Sequence, residues 1–147
     1  MEDNNFLISG ARINPGENRT LEISTANLYT QTPIKIPVHV INGKKPGPKL
    51  FVIAGIHGNE INGVEIIRRL LRSSSFKRLK GTIVAVPIVN VYGFISLSRY
   101  LPDRRDLNRS FPGSEKGSMA SRLANLLIKE VINQCDYGID LHTGAIH

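Results

Sequence analysis

The chain has 147 residues, 41% of them hydrophobic and 21% charged, with a net charge of +7. That length supports one domain with its own core rather than two, and the composition excludes wholesale disorder. The positive charge favours anionic partners without naming one.

Residues 1–34 read as a leading segment with one expected strand, and 35–147 as the core. The opening MEDNNFLISG lacks a basic head followed by an apolar run, so it does not resemble a secretion signal. Residues 19–28 and 35–42 have strand-like, β-branched character. Asn42-Gly43 and Pro46-Gly47-Pro48 carry strong turn chemistry between that stretch and the next. Lys49 to Gly55 is a continuous apolar run of the kind buried on both faces of a sheet.

Over 60–73, Ile61, Val64, Ile67, Leu70 and Leu71 recur at helical spacing, with Arg68, Arg69 and Arg72 on the other side. Gly81 to Ile88 is a second buried-strand candidate. The stretch from Thr82 to Leu97 is broken by Pro87 and Asn90 and is too short to span a bilayer. Residues 96–117, rich in Arg, Pro, Gly and Ser without a period, read as a long loop. Ser118 is placed to cap a helix over 119–133 with a stripe of Met119, Leu123, Leu126, Leu127 and Val131. A last strand is expected over Tyr137 to Leu141. This alternation predicts an α/β fold with a largely parallel sheet. Cys135 is the only cysteine, so nothing demands an oxidising compartment, and a cytoplasmic location is expected.

In such sheets ligands bind beyond the carboxyl ends of strands. Two segments fall there: Gly55-Ile-His57-Gly-Asn-Glu60, and Asp140-Leu-His142-Thr-Gly144. A catalytic zinc commonly takes three protein ligands from His and carboxylate. His57 and Glu60, three residues apart on a turn entering a helix, lie on one face, and His142 is available as a third donor. A His-x-x-Glu pair alone is weak. The competing reading makes His57 a loop histidine, Glu60 a first-turn carboxylate on the helix dipole and His142 a capped strand end. His39, mid-strand between Val38 and Val40, reads as structural, and the terminal His147 is uninformative.

Arg99 to Gly113 carries four arginines in eleven positions. A solvated loop is one reading. The other notes that Asp106 and Asn108 share a face if extended, and that Arg109 beside an amide suits a carboxylate clamp. A neighbouring arginine there can stabilise an oxyanion.

GIHGNE at 55–60, RDLNRSFPG at 105–113 and DLHTG at 140–144 together resemble the succinylglutamate desuccinylase/aspartoacylase family, relatives of the zinc carboxypeptidases. The resemblance runs from about residue 35 onward. It implies a three-layer, zinc-exopeptidase-like fold with a mixed, largely parallel sheet, and one Zn2+ per chain on His57, Glu60 and His142. It also implies that Asn108 and Arg109 grip a substrate carboxylate and that Asp106 orients a metal-bound histidine. Arg99 resembles the arginine that polarises the scissile carbonyl, with Arg105 the competing candidate. The family's general base is a glutamate well downstream of the third ligand, a position that Glu65, Glu115 and Glu130 do not match. The chain is therefore expected to be the front part of the catalytic domain, its sheet ending in an unpaired edge.

The expected function is zinc-dependent deacylation of a small anionic N-acyl amino acid. Two alternatives stay open: a carboxypeptidase-type peptidase, and a non-catalytic metal- or anion-binding fragment lacking the base. No nucleic-acid motif accompanies the charge, and no membrane partner is expected; an oligomer is left open.

Overall fold

A computed structural model describes residues 4–27 and 33–144. Residue 28, at the end of the first expected strand, and His147 lie outside them. The main sheet has five strands: β3 (Asn18–Asn27), β4 (Pro33–Asn42), β5 (Lys45–Ala54), β6 (Lys80–Val86) and β7 (Tyr137–Leu141), in the order β3-β4-β6-β5-β7. β4 runs antiparallel to both neighbours, whereas β6, β5 and β7 are mutually parallel. This is the mixed, largely parallel sheet expected.

The apolar runs form strands because both faces of the sheet are covered. Val52 and Ala54 of β5 and Ile83 and Ala85 of β6 pack with Ile67 of helix α1 (Asn62–Leu71). The alternate residues Ile53, Val84 and Val86 join Leu123, Ala124 and Leu127 of helix α3 (Met119–Glu130) on the opposite face. Ser118 caps α3, its hydroxyl accepting from the Ser121 N–H. Residues 132–134, overlapping the end of the expected helix, form a separate 3-10 turn.

One expectation is corrected, and two short elements were missed. Pro46-Gly47-Pro48 is not a turn but lies within β5. Its ladder with β6 skips from Lys45 to Lys49, so the two prolines, which have no N–H to donate, interrupt nothing. The long loop expected over 96–117 is present, and its buried Leu101 and Leu107 anchor it to the core. A six-residue helix, α2 (Val91–Ser96), was not anticipated; Asn90 caps it, accepting from the Gly93 N–H at 2.8 Å. The hairpin of β1 (Phe6–Ile8) and β2 (Ala11–Ile13) was also missed, and it buries Phe6, Ile8 and Ile13.

β7 is an edge strand, with Tyr137 65% and Ile139 46% exposed. Among the described residues no helix is long and apolar enough to cross a membrane. His39 is structural as expected: it sits in β4 and hydrogen-bonds Thr20 Oγ1 at 2.9 Å.

The exposed side of α1 carries Glu65 forked by Arg68 and bonded by Arg69, at spacings of three and four residues. These hydrogen bonds bring the Glu65 carboxyl down to about 2 from the ordinary 4.5. Because the folded value is depressed, the contribution is complete above about pH 4.5 and is lost as pH falls towards 2. A carbon-detected NMR titration of the side-chain carboxyl should place its midpoint near 2; a midpoint near 4.5 would show that the arginines do not hold it.

Candidate metal centre

β5 and β7 lie side by side and point the same way, so the chain leaves both at one end of the sheet, with Ala54 opposite Leu141. His57 and His142 follow those ends. Glu60 comes from the turn leading into α1, its N–H bonded to the His57 carbonyl at 3.1 Å. Gly63 lets the helix settle close: a Cβ there would stand 2.9 Å from the Cβ atoms of Ala54 and Leu141. That approach brings Glu60 between the two histidines.

The three side chains meet. His57 Nδ1 is 2.8 Å from Glu60 Oε1, and His142 Nδ1 is 3.0 Å from Glu60 Oε2. One donor atom from each lies within 4.8 Å of the others. His57 and Glu60 are 2% and 6% exposed, and the two imidazoles meet edge-on at 5.1 Å. The outer nitrogens are held as well, His57 Nε2 by Asp106 Oδ1 at 3.0 Å and His142 Nε2 by Asp140 Oδ2 at 2.8 Å.

Each imidazole thus stands between two carboxylates. An ionised carboxylate only accepts, so each ring nitrogen must present a proton, or a cation, to its partner. Asp106 and Asp140 hold Nε2–H outward, which leaves both Nδ1 atoms aimed at the same small space as the Glu60 oxygens. A divalent cation fits there: two neutral imidazoles and a carboxylate supply the donors, and two further carboxylates fix the rings. A buried cluster meant only for stability would gain nothing from aiming four polar atoms at one point.

Burial pushes the Glu60 carboxyl up, but the Thr143 N–H bond at 3.0 Å and the two histidines outweigh it and hold it below its ordinary value. Asp106 behaves alike: burial is outweighed by His57, by the Asn108 N–H at 2.9 Å and by Arg99. Both stay ionised.

Of the expected arginines, only Arg99 reaches this cluster, 3.3 Å from Glu60 Oε1 and 3.2 Å from Asp106 Oδ2. The side chains of Arg105, Asn108 and Arg109 are exposed and make no ion pair or hydrogen bond among the described residues. The extended alternation of Asp106 and Asn108 is corrected: 107–109 is a 3-10 turn, and Asp106 caps it through the Asn108 N–H. None of the glutamates considered as a base is near. Glu65 is taken by Arg68 and Arg69, Glu115 pairs with Lys129, and Glu130 accepts from Ser9.

Asp140 was overlooked in the sequence. Its signal was its position two residues before His142 at a strand end, which places both side chains on one side of the chain. Gly58, between His57 and Glu60, also shapes the site. A Cβ at Gly58 would fall 1.8 Å from the carbonyl carbon of Gly93 in α2, and the Gly58 N–H donates to the Ser98 carbonyl at 3.0 Å. Gly58→Ala is therefore expected to cost about 3 kcal/mol by backbone overpacking and to displace His57. Denaturant unfolding and zinc titration would check it; an unchanged midpoint would mean that α2 yields freely.

A family model described as the succinylglutamate desuccinylase/aspartoacylase catalytic domain matches residues 46–147. Among curated relatives, the N-alpha-acetyl-L-2,4-diaminobutyric acid deacetylase of Halomonas elongata is 30% identical over 113 residues, covering 76% of this chain and 33% of that protein. A probable aspartoacylase of Prochlorococcus marinus subsp. pastoris is 33% identical over 101 residues, covering 65% of this chain and again 33% of its own length. The chain thus spans about a third of the curated relatives it matches. Among solved structures, a succinylglutamate desuccinylase/aspartoacylase from Rhodobacter sphaeroides is similar with a TM-score of 0.78 at 28% identity, over 86% of this chain and 40% of that one. The product-bound ectoine utilization protein EutE (DoeB) of Ruegeria pomeroyi is similar with a TM-score of 0.78 at 27% identity and the same coverages.

Proposed function

The chain belongs to the succinylglutamate desuccinylase/aspartoacylase family, and from that premise we propose that it supplies the metal-holding part of a zinc-dependent deacylase. The reaction is hydrolysis of the amide bond in a small anionic N-acyl amino acid. His57, Glu60 and His142 hold the ion, while Asp106 and Asp140 orient the two imidazoles. Asn108 and Arg109 take the substrate carboxylate. Arg99, already beside the cluster, steadies the carbonyl oxygen as charge builds on it, and Arg105 is the reserve candidate for that role.

The observation that carries this reading is the convergence of both Nδ1 atoms on the two oxygens of Glu60. Bound there, zinc supplies Lewis-acid polarisation of the carbonyl. The protein's own part is positional. Buried His57 and Glu60 keep the donors still, and the exposed guanidinium of Arg109 has no internal carboxylate partner among the described residues to compete with a substrate. The arginine loop and the deacetylase relative, whose name specifies an acetylated amino acid, support that substrate class. The half-buried Cys135 thiol, pushed up to about 11 by burial, stays protonated and takes no part.

The test is amine release from N-acetyl- and N-succinyl-amino acids by the zinc-loaded protein, set against release of the last residue from blocked dipeptides. Turnover of the acyl amino acids that stops on chelation and returns with zinc is expected. Chelator-resistant turnover, or faster cleavage of the dipeptides, would overturn the reading. Zinc binding without any turnover would favour the non-catalytic alternative.

A further inference from the structure

The flank of α1 facing β4 carries a second feature, apart from the metal centre. Val64, Arg68, Leu71 and Arg72 recur at spacings of four, three and one, and so share one helix face. Opposite them stand His39 of β4 and Pro87 and Ile88 just beyond β6, enclosing a groove of about 340 Å3 with an apolar floor. Leu71 and Arg72 continue into a larger, polar cavity of about 490 Å3, whose walls include Lys44, Lys77 and Ser74. A hollow at His39, Ile41 and Leu71 shares lining residues with both. The result is one trough, apolar at one end and cationic at the other.

No carboxylate lines either cavity. Glu65 occupies Arg68, whereas Arg72, Lys44 and Lys77 have no carboxylate partner among the described residues. Burial lowers the pKa of His39, and Arg68, which lines the apolar groove with Arg72, is already paired with Glu65. The trough is also separate from the substrate side of the metal centre. It lies on the α1 face of the sheet, while Leu101 and Leu107 root the arginine loop in the core on the α3 face.

We propose that this trough binds a single-chain anionic amphiphile, its hydrocarbon tail between Val64, Leu71 and Ile88 and its phosphate head against Arg72, Lys44 and Lys77. The volume is that of a small-molecule site. Three uncompensated cations and a hydroxyl suit a dianion with several acceptor oxygens, and the apolar groove takes a chain that water rejects.

Calorimetric titration with octyl phosphate below its micellar concentration tests this, with inorganic phosphate and octyl glucoside as the half-ligands. Octyl phosphate is expected to occupy one site at least ~10-fold more tightly than either. Arg72→Ala/Lys77→Ala, both exposed residues remote from the metal centre, should remove that advantage. Zinc titration of the same variant should match the parent, showing that it is folded. Equal binding of either half-ligand, undiminished binding by the variant, or Arg72-dependent binding to phosphatidylglycerol vesicles but not to octyl phosphate would each overturn the proposal.

Discussion

His142→Ala is expected to weaken zinc binding by more than ~100-fold. Losing a residue that only orients a ligand typically costs about 10–100-fold, and a direct ligand costs more. Here the loss leaves two donors where a catalytic zinc needs three. The fold should survive, because the His142 side chain is 29% exposed at the end of an edge strand and supports no core packing. Competition against a chelator of known affinity reads the change, and a thermal melt in zinc-free buffer shows that the chain is intact. His39→Ala is the matched control: its partner is Thr20, and it should leave zinc affinity where it was. Equal affinities for His142→Ala and the parent would remove His142 from the site and, with it, the case for a hydrolase.

The second large effect is expected at Asp106, where one carboxylate serves three partners: His57 Nε2, the Asn108 N–H and Arg99. Asp106→Ala should lower zinc affinity by ~100-fold and Asp106→Asn by only ~10-fold. The grading has a physical cause. An amide oxygen can still accept from Nε2–H and keep the ring in its tautomer, but it has no charge with which to raise the basicity of the imidazole or to hold Arg99. Stability measured by denaturant separates this from loss of the turn cap, which both variants touch. If both variants bound zinc like the parent, Asp106 would be a turn cap and nothing more.

Much of the site was readable in advance because its parts are local. His57 and Glu60 stand within one turn, Asp106 to Arg109 within another, and His142 directly after a strand. Each depended on a short motif and on the rule that α/β sheets place ligands at strand ends. Asp140 was just as local, and only its attribution to strand structure concealed it. Other features had no local signal. α2 is six residues long, and its apolar residues continue those of β6, so no helical period could emerge. The β1–β2 hairpin has strands of three residues, too short for alternation to show. Pro46-Gly47-Pro48 has the chemistry of a turn, yet Gly43-Lys44 already makes the reversal, leaving the prolines to be carried by an unpaired stretch of strand.

Hydrophobic patterning was enough to specify the layers, since a run apolar on both sides has only the middle of a sheet to occupy. Chain order could not choose which arginine approaches the metal cluster. The resemblance favoured Arg99 with Arg105 as its competitor, and the fold, with Leu101 and Leu107 buried beside them, turns Arg99 towards Glu60 and leaves Arg105 exposed. The trough beside α1 was likewise invisible, because His39, Leu71 and Ile88 become neighbours only when β4, α1 and the end of β6 are brought together. Contacts between distant segments depend on how closely the layers approach, and here backbone clearances at Gly58 and Gly63 set that distance.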